Sequence, residues 1–177
     1  MDVSIEELPS AAVVAAAEDL GRLLLDAHAA GMALGLAAPL TPDRATAEWT
    51  ATAAKLAPNE RVLLAARLEG RIVGTVQVVR ASAENGRHRA EIVRFAVAGD
   101  MRGRGIGRLL LDAAVDRART MGITLLWLTT HADTDSDRIY ERLGWTRVGV
   151  IPGYAVRPDG ALAANVFYYL DLQAPRA

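Results

Sequence analysis

Three glycines alternate with larger residues in Arg102-Gly103-Arg104-Gly105-Ile106-Gly107-Arg108. The apolar stretch Glu91-Ile-Val-Arg-Phe-Ala-Val comes shortly before them, and Leu109-Leu-Leu comes directly after. Glycines in such a loop let backbone N–H groups turn toward one point and let a bulky anion come close. A helix opening behind the loop would add unsatisfied donors and the positive end of its dipole. Arg102, Arg104 and Arg108 add full charges. A pyrophosphate is the natural guest. A plain strand-to-helix turn with a solvated basic face is the simpler reading of the same residues. A dinucleotide-binding turn is a rival, because Asp133 could serve as its ribose-binding acid. Against it stand the G-x-G-x-G spacing, the several arginines, and the roughly seventy residues that follow, too few for a second nucleotide-binding half.

The residue types that are missing narrow the chemistry. There is no cysteine, so no thiol nucleophile, disulfide framework or cysteine-held zinc. Lys55 is the only lysine and follows no glycine-rich loop, which excludes a Walker P-loop. None of Ser4, Ser10, Ser82 and Ser136 sits in G-x-S-x-G, and His28, His88 and His131 show no metal-ligand pairing. Carboxylates, tyrosines, arginines and backbone amides remain. Twenty Lys+Arg against 21 Asp+Glu, a net charge of -1 on 177 residues, give no reason to expect nucleic acid or an anionic membrane as partner. The longest apolar run, Ala11 to Ala17, is far short of the roughly 20 residues that span a bilayer. The opening Met-Asp-Val-Ser-Ile-Glu-Glu resembles no signal peptide, so a cytoplasmic protein is expected.

The elements that must position the loop follow from periodicity. Val13, Ala16, Ala17, Leu20, Leu23, Leu24 and Ala27 repeat near 3.6 and predict one helix with Gly31 as its stop. Thr41-Pro42 predicts the cap and first turn of a second helix running toward Pro58, and Val3 and Ile5 a short first strand. Near residue 60 the period changes to two. Arg61 to Leu68 and Arg71 to Arg80 read as a hairpin turning at Glu69-Gly70, with Arg89 to Val97 as the next strand. A helix over Ile106 to Met121, a strand over Leu125 to Thr130, a short helix over Asp135 to Leu143 and two strands (about Thr146 to Val150 and Ala163 to Leu170) complete the chain. Antiparallel strands followed by β-α-β-α-β predict an α/β class with a mixed sheet flanked by helices. The length suits one domain over residues 1–177.

Arg102-x-x-Gly105-x-Gly107 resembles the R/Q-x-x-G-x-G/A acyl-CoA motif of the GNAT superfamily of acetyltransferases. Arg138-Ile-Tyr140-Glu-Arg-Leu-Gly144-Trp145 resembles that family's second signature, with a similar spacing of about thirty-five residues. The two cover roughly residues 61 to 171. The ending Gly149-Val-Ile-Pro-Gly-Tyr154-Ala-Val-Arg-Pro-Asp159-Gly160, followed by Phe167-Tyr-Tyr-Leu, looks more narrowly like the tabtoxin-resistance-type members. The resemblance implies a mostly antiparallel sheet with about four helices, splayed between its two central strands. It implies direct transfer of acetyl from acetyl-CoA to the primary amine of a small molecule. Acetylation of a protein N-terminus or lysine, and a non-catalytic acyl-CoA-binding module, are the alternatives. It further implies that Phe95, Ala96 and Val97 bind the pantetheine arm through backbone groups. The amides of Arg102, Gly103, Arg104, Gly105, Ile106, Gly107 and Arg108 would hold the pyrophosphate, Tyr140 would protonate the departing thiolate, and no metal would be needed. A homodimer is compatible with the family.

An amine with pKa near ~10.4 must lose its proton at pH 7, at about 4–5 kcal/mol unless a base accepts it. Glu91, on the strand beside the cleft, is the candidate base, acting through water, with a surface carboxylate paired to Arg89 or Arg94 as the plainer reading. Many members carry an asparagine on the CoA arm where this chain has Asp133, and tabtoxin-type members carry an aspartate where Thr129 aligns. Asp133 could replace either group or cap the helix, a role that fits Asp135 better. His131 is an alternative base and is expected as a hydrogen-bonded surface residue. Glu48, Glu84, Asp133 and Asp159 are expected to rim the acceptor side, suiting a cationic amine. Trp49, Trp127, Trp145 and Tyr154 could line a pocket, with Trp127 expected in the core. The final hairpin, Pro152 to Ala164, reads as a lid over a small substrate.

Overall fold

A computed structural model describes residues 2–32, 34–157 and 159–174, without the side chains of residues 135–138. The strands are β1 (Ser4–Glu7), β2 (Arg61–Leu68), β3 (Arg71–Arg80), β4 (Arg89–Val97), β5 (Leu125–His131), β6 (Thr146–Val156) and β7 (Leu162–Asp171). The helices are α1 (Ser10–Ala15), α2 (Ala17–Ala29), α3 (Pro42–Ala53), α4 (Ile106–Thr120) and α5 (Asp135–Arg142). One seven-stranded sheet has the order β1-β2-β3-β4-β5-β7-β6, antiparallel except for β4 beside β5. None of the described helices is long and apolar enough to cross a membrane.

Helices cover the inner strands on both faces, so β2 and β3 read as continuous buried runs. On one face α4, through Ile106, Leu110, Leu111, Ala114, Val115 and Ala118, packs on Val62, Leu64, Val73, Val76 and Val78. On the other, Leu20, Leu23, Leu24 and Ala27 of α2 and Trp49 of α3 pack on Leu63, Ala65, Ile72 and Ala96. Glu69 (φ 51) and Gly70 (φ 81) turn the β2–β3 hairpin as expected, because two left-handed residues match the twist of the paired strands. Thr41 caps α3, its Oγ1 accepting from the Arg44 amide at 3.2 Å.

Two features differ from expectation. The single N-terminal helix breaks at Ala16 (φ -100, ψ 11) into α1 and α2, in an alanine run that carries no breaker residue. β6 reaches Val156, because irregular register between Ile151 and Ala155 lets it pair with β7 past Pro152 and Gly153.

The site-forming features lie at the centre of the sheet. β4 and β5 share only three rungs, Arg89 with Leu125, Ala90 with Leu126 and Glu91 with Trp127, and then part. Opposite β3, Gln77 pairs with Val93 and Thr75 with Ala96, so Arg94 and Phe95 both face Val76. This bulge puts Arg94 at φ 51 and bends β4 away from β5.

Candidate active site

The parting of β4 from β5 opens a cleft of about 990 Å³. Val93, Phe95 and Val97 line one wall, Thr129 and His131 the other, and Tyr140 and the Met101–Arg108 segment also border it. The glycines of that segment have separate reasons to be there. Gly103 (φ 74) and Gly105 (φ 82) have open space where a Cβ would stand, so their backbone conformation is what demands glycine. A Cβ on Gly107 would come to 3.1 Å from Phe95 Cζ, so there it is close approach to the ring that favours glycine. Gly105 is the N-cap of α4, no side chain caps the helix, and its first turn carries no acid. The first-turn N–H groups are therefore available to an anion in the cleft.

The arginines of the loop diverge. Arg102 turns inward, its Nε donating to the Val97 carbonyl at 3.0 Å and its Nη2 standing 3.4 Å from Asp26 Oδ2. Asp26 Oδ2 also accepts from the Gly99 amide at 2.8 Å, tying α2 to the loop. Arg102 is thus a brace for the loop as well as a charge. Arg108 borders the cleft and lies 3.5 Å from Asp112 Oδ2, whereas Arg104 is outside the cleft wall. Ile106 is buried in the core beneath the loop, and Ala96 points to the core on the α2 face.

Tyr140 meets the cleft from inside an aromatic cluster. Its ring centroid lies 6.4 Å from Phe95, 6.1 Å from Trp145 and 5.5 Å from Tyr168. Burial, with Tyr168 beside it, raises the phenol far above its ordinary value, so it is a neutral O–H donor at working pH. Glu91 is half-buried. It pairs with Trp127 on the last shared rung and borders a second depression, while Val93 and Thr129, on the same sheet face, line the cleft. Burial raises the Glu91 carboxyl and the nearby Arg61 opposes that rise. The expected ion pairs of Glu91 with Arg89 or Arg94 are absent among the described residues. Arg94 instead donates to the Leu34 carbonyl and lies 3.3 Å from Glu48 Oε2.

Other candidates stand differently from expectation. Asp133 is exposed at φ 60 in the turn after β5 and is not part of the cleft wall. The Asp135 side chain lies outside the described residues. His131 is buried rather than on the surface. Its Nδ1 lies 2.9 Å from Asn165 Oδ1, and Asn165 Nδ2 donates to Thr129 Oγ1 at 3.1 Å. Asn165 escaped sequence reading because its partners lie across the β5–β7 ladder, far away in the chain. Glu48 is taken up by Arg94, and Asp159 Oδ1 accepts from the Ala161 amide in the β6–β7 turn. Trp127, expected in the core, stacks on Phe167 at 6.2 Å and borders the second depression. Trp49 and Trp145 are core residues, and Tyr154 is exposed and meets Phe167 edge-on.

The model of the acetyltransferase (GNAT) family matches residues 25–145, more than half of the chain. The chain belongs to the GNAT acetyltransferase family. Among curated proteins it is 36% identical over 97 residues to mycothiol acetyltransferase of Propionibacterium freudenreichii, covering 52% of this chain and 30% of that one. It is 33% identical over 72 residues to [ribosomal protein bS18]-alanine N-acetyltransferase of Salmonella typhimurium, covering 40% of this chain and 49% of that one. The chain thus spans less than half the length of these curated relatives. Among solved structures it shares its fold with yncA of Salmonella typhimurium, described as an acetyltransferase with its cofactor acetyl-CoA. That likeness has a TM-score of 0.74 at 21% identity, over 100% of this chain and 98% of the other.

Proposed function

We propose that the protein transfers acetyl from acetyl-CoA to the primary amine of a small molecule, both being bound at once, and that residues 1–177 act as one domain. The observation that carries this reading is the cleft between β4 and β5, with an uncapped helix N-terminus at one end and Tyr140 on its wall. A thioester with a pyrophosphate fits these residues: the loop amides would hold the phosphates, and the unpaired edge of β4 at Phe95 to Val97 would hold the arm. Acetyl-CoA supplies an activated acetyl group. Tyr140 gives its phenolic proton, or a strong hydrogen bond, to the departing sulfur. Glu91 takes the amine proton through water, leaving the nitrogen lone pair free for the carbonyl carbon. Arg102 and Arg108 lend positive charge to the loop, and Asp133, in the turn after β5, is left outside the cleft wall.

The long β6–β7 hairpin supports a small substrate, as does the narrower likeness of this segment to tabtoxin-resistance-type enzymes. The match to a ribosomal-protein-alanine acetyltransferase favours a peptide α-amine as second reading.

Calorimetric titration tests the donor site. Wild type is expected to bind acetyl-CoA at micromolar Kd, and Gly105→Val with Gly107→Leu to abolish binding while far-UV circular dichroism stays native. Amine-dependent thiol release, stronger with small amines than with an alanine-started peptide, completes the test. No binding by wild type overturns the reading.

A further inference from the structure

The second depression, about 830 Å³, lies on the same face of the sheet as Val93 and Thr129. Its floor is a row of cross-strand neighbours: Arg61 pairs with Val79, Val79 with Glu91, and Glu91 with Trp127. The next row along β3 and β4 holds Gln77 beside Val93, and Val93 lines the cleft. The two hollows therefore lie on consecutive rows of one face, with Glu91 in the depression and Val93 in the cleft. The depression lies at the start of β4, the loop Arg102 to Arg108 beyond its end, so the donor's phosphates have cations of their own.

Its charge is opposite to the acidic rim expected from sequence. Five cations, Lys55, Arg61, Arg80, Arg87 and Arg89, face two carboxylates, Glu60 and Glu91. Glu60 is occupied by Arg87, and Arg80 is spent on the carbonyls of Asn59, Arg87 and Met121. Arg61 gives one N–H to Gln77 Oε1 at 2.9 Å, and its charge is felt by Glu91. Lys55 and Arg89 make backbone hydrogen bonds, but no hydrogen bond or ion pair engages either side chain among the described residues. A chain with a net charge of -1 thus gathers surplus positive charge beside the group assigned to take the amine proton.

We propose that the acceptor is a primary amine that also bears an oxyanion, carboxylate or phosphonate, and that Lys55, Arg61 and Arg89 hold this anion while the amine sits at Glu91. The assignment rests on the amine-acetylation reading above. Arg89 and Glu91 are two residues apart on β4, about 7 Å along the strand, which suits an amine and an anion separated by a short alkyl chain. A polyamine or another purely cationic acceptor would meet repulsion at the same place.

The test compares γ-aminobutyrate, its uncharged amide and aminopropylphosphonate as acceptors, by thiol release. With wild type, kcat/KM for at least one acid is expected to exceed that for the amide by about tenfold or more, as one or two charge-assisted hydrogen bonds would give. Whichever acid leads identifies the oxyanion. In the exposed double variant Lys55→Gln, Arg89→Gln the acid-to-amide ratio is expected to fall to about one, through the KM of the acid. Arg119→Gln, far out on α4 and paired with Asp116, is expected to keep the wild-type ratio. Equal use of acids and amide by wild type, or a preference that survives in the double variant, overturns the anionic-acceptor assignment and leaves amine acetylation standing. No thiol release with any of the three, from protein that binds acetyl-CoA, overturns both.

Discussion

Tyr140 is held by three aromatic neighbours, Phe95, Trp145 and Tyr168, so Tyr140→Phe keeps the packing and deletes only the hydroxyl. Turnover is expected to fall by roughly 10²–10⁴ with the acetyl-CoA Kd nearly unchanged; a steady-state rate within twofold of wild type removes Tyr140 from the mechanism. Glu91 makes a prediction about pH. Its carboxyl is raised by burial, so the base form fills only as pH rises through that raised value, and kcat/KM should climb there. Glu91→Gln is expected to flatten that limb and cut the rate by roughly 10²-fold or more. Stability runs the other way: with the folded pKa above the unfolded one, the group's contribution is complete at acid pH and is lost as pH rises. Glu91→Gln is therefore expected to raise Tm near neutrality and leave it unchanged in acid, as calorimetric melts at two pH values would read. That Tyr140 and the loop border one cleft was legible, because each follows a local pattern of spacing; Glu91 followed none, and it borders the neighbouring depression. His131 with Asn165, Arg94 with Glu48 and the cations beside Glu91 were not legible, since only the sheet and α3 bring them together.

At the scale of elements, strand limits were legible wherever apolar residues form a run closed by a turn, as in β2 and β3. The break at Ala16 was not, since alanine is equally at ease in either helix, and the reach of β6 was hidden by Pro152 and Gly153. The loop before α4 is itself an assembly of two elements, because Asp26 of α2 accepts from Gly99 and meets Arg102. Asp26→Ala is expected to weaken acetyl-CoA binding several-fold while costing about 1 kcal/mol of stability, the worth of one such hydrogen bond. A binding titration beside a denaturant melt separates the two effects, and unchanged affinity would confine Asp26 to a structural part. β3 approaches α4 at Gly74, where a Cβ would stand 2.8 Å from Leu110 Cδ1 and 3.0 Å from the Ala96 carbonyl. Gly74→Ala is expected to cost about 1–3 kcal/mol, read from the same melts.

At the scale of the molecule, the two cores explain the division of labour. One binds α4 to the sheet and so fixes the loop; the other seats α1, α2 and α3 on the opposite face, and the cationic depression lies on that same face, reaching from β2 to β5. Positive surroundings also favour the neutral form of an amine, so the charges assigned to hold an anion would ease the deprotonation that Glu91 completes. Fold class followed from the strand–helix sequence, but charge on a face could not, since its members come from α3's exit, β2, β3 and β4.

The ladder between β4 and β5 has three rungs, and beyond them the two halves of the sheet are free to be joined by whatever lies in the gap. On the proposed reading the donor is that joint. A ligand present at a hundred times its Kd adds about 2.7 kcal/mol to the folded side by mass action. Cleavage by a protease at limiting dose would then slow roughly a hundredfold as acetyl-CoA is added. In a cell the same arithmetic would make the survival time of the chain a readout of its acetyl supply: well-fed, the protein would persist, and starved, it would be cleared.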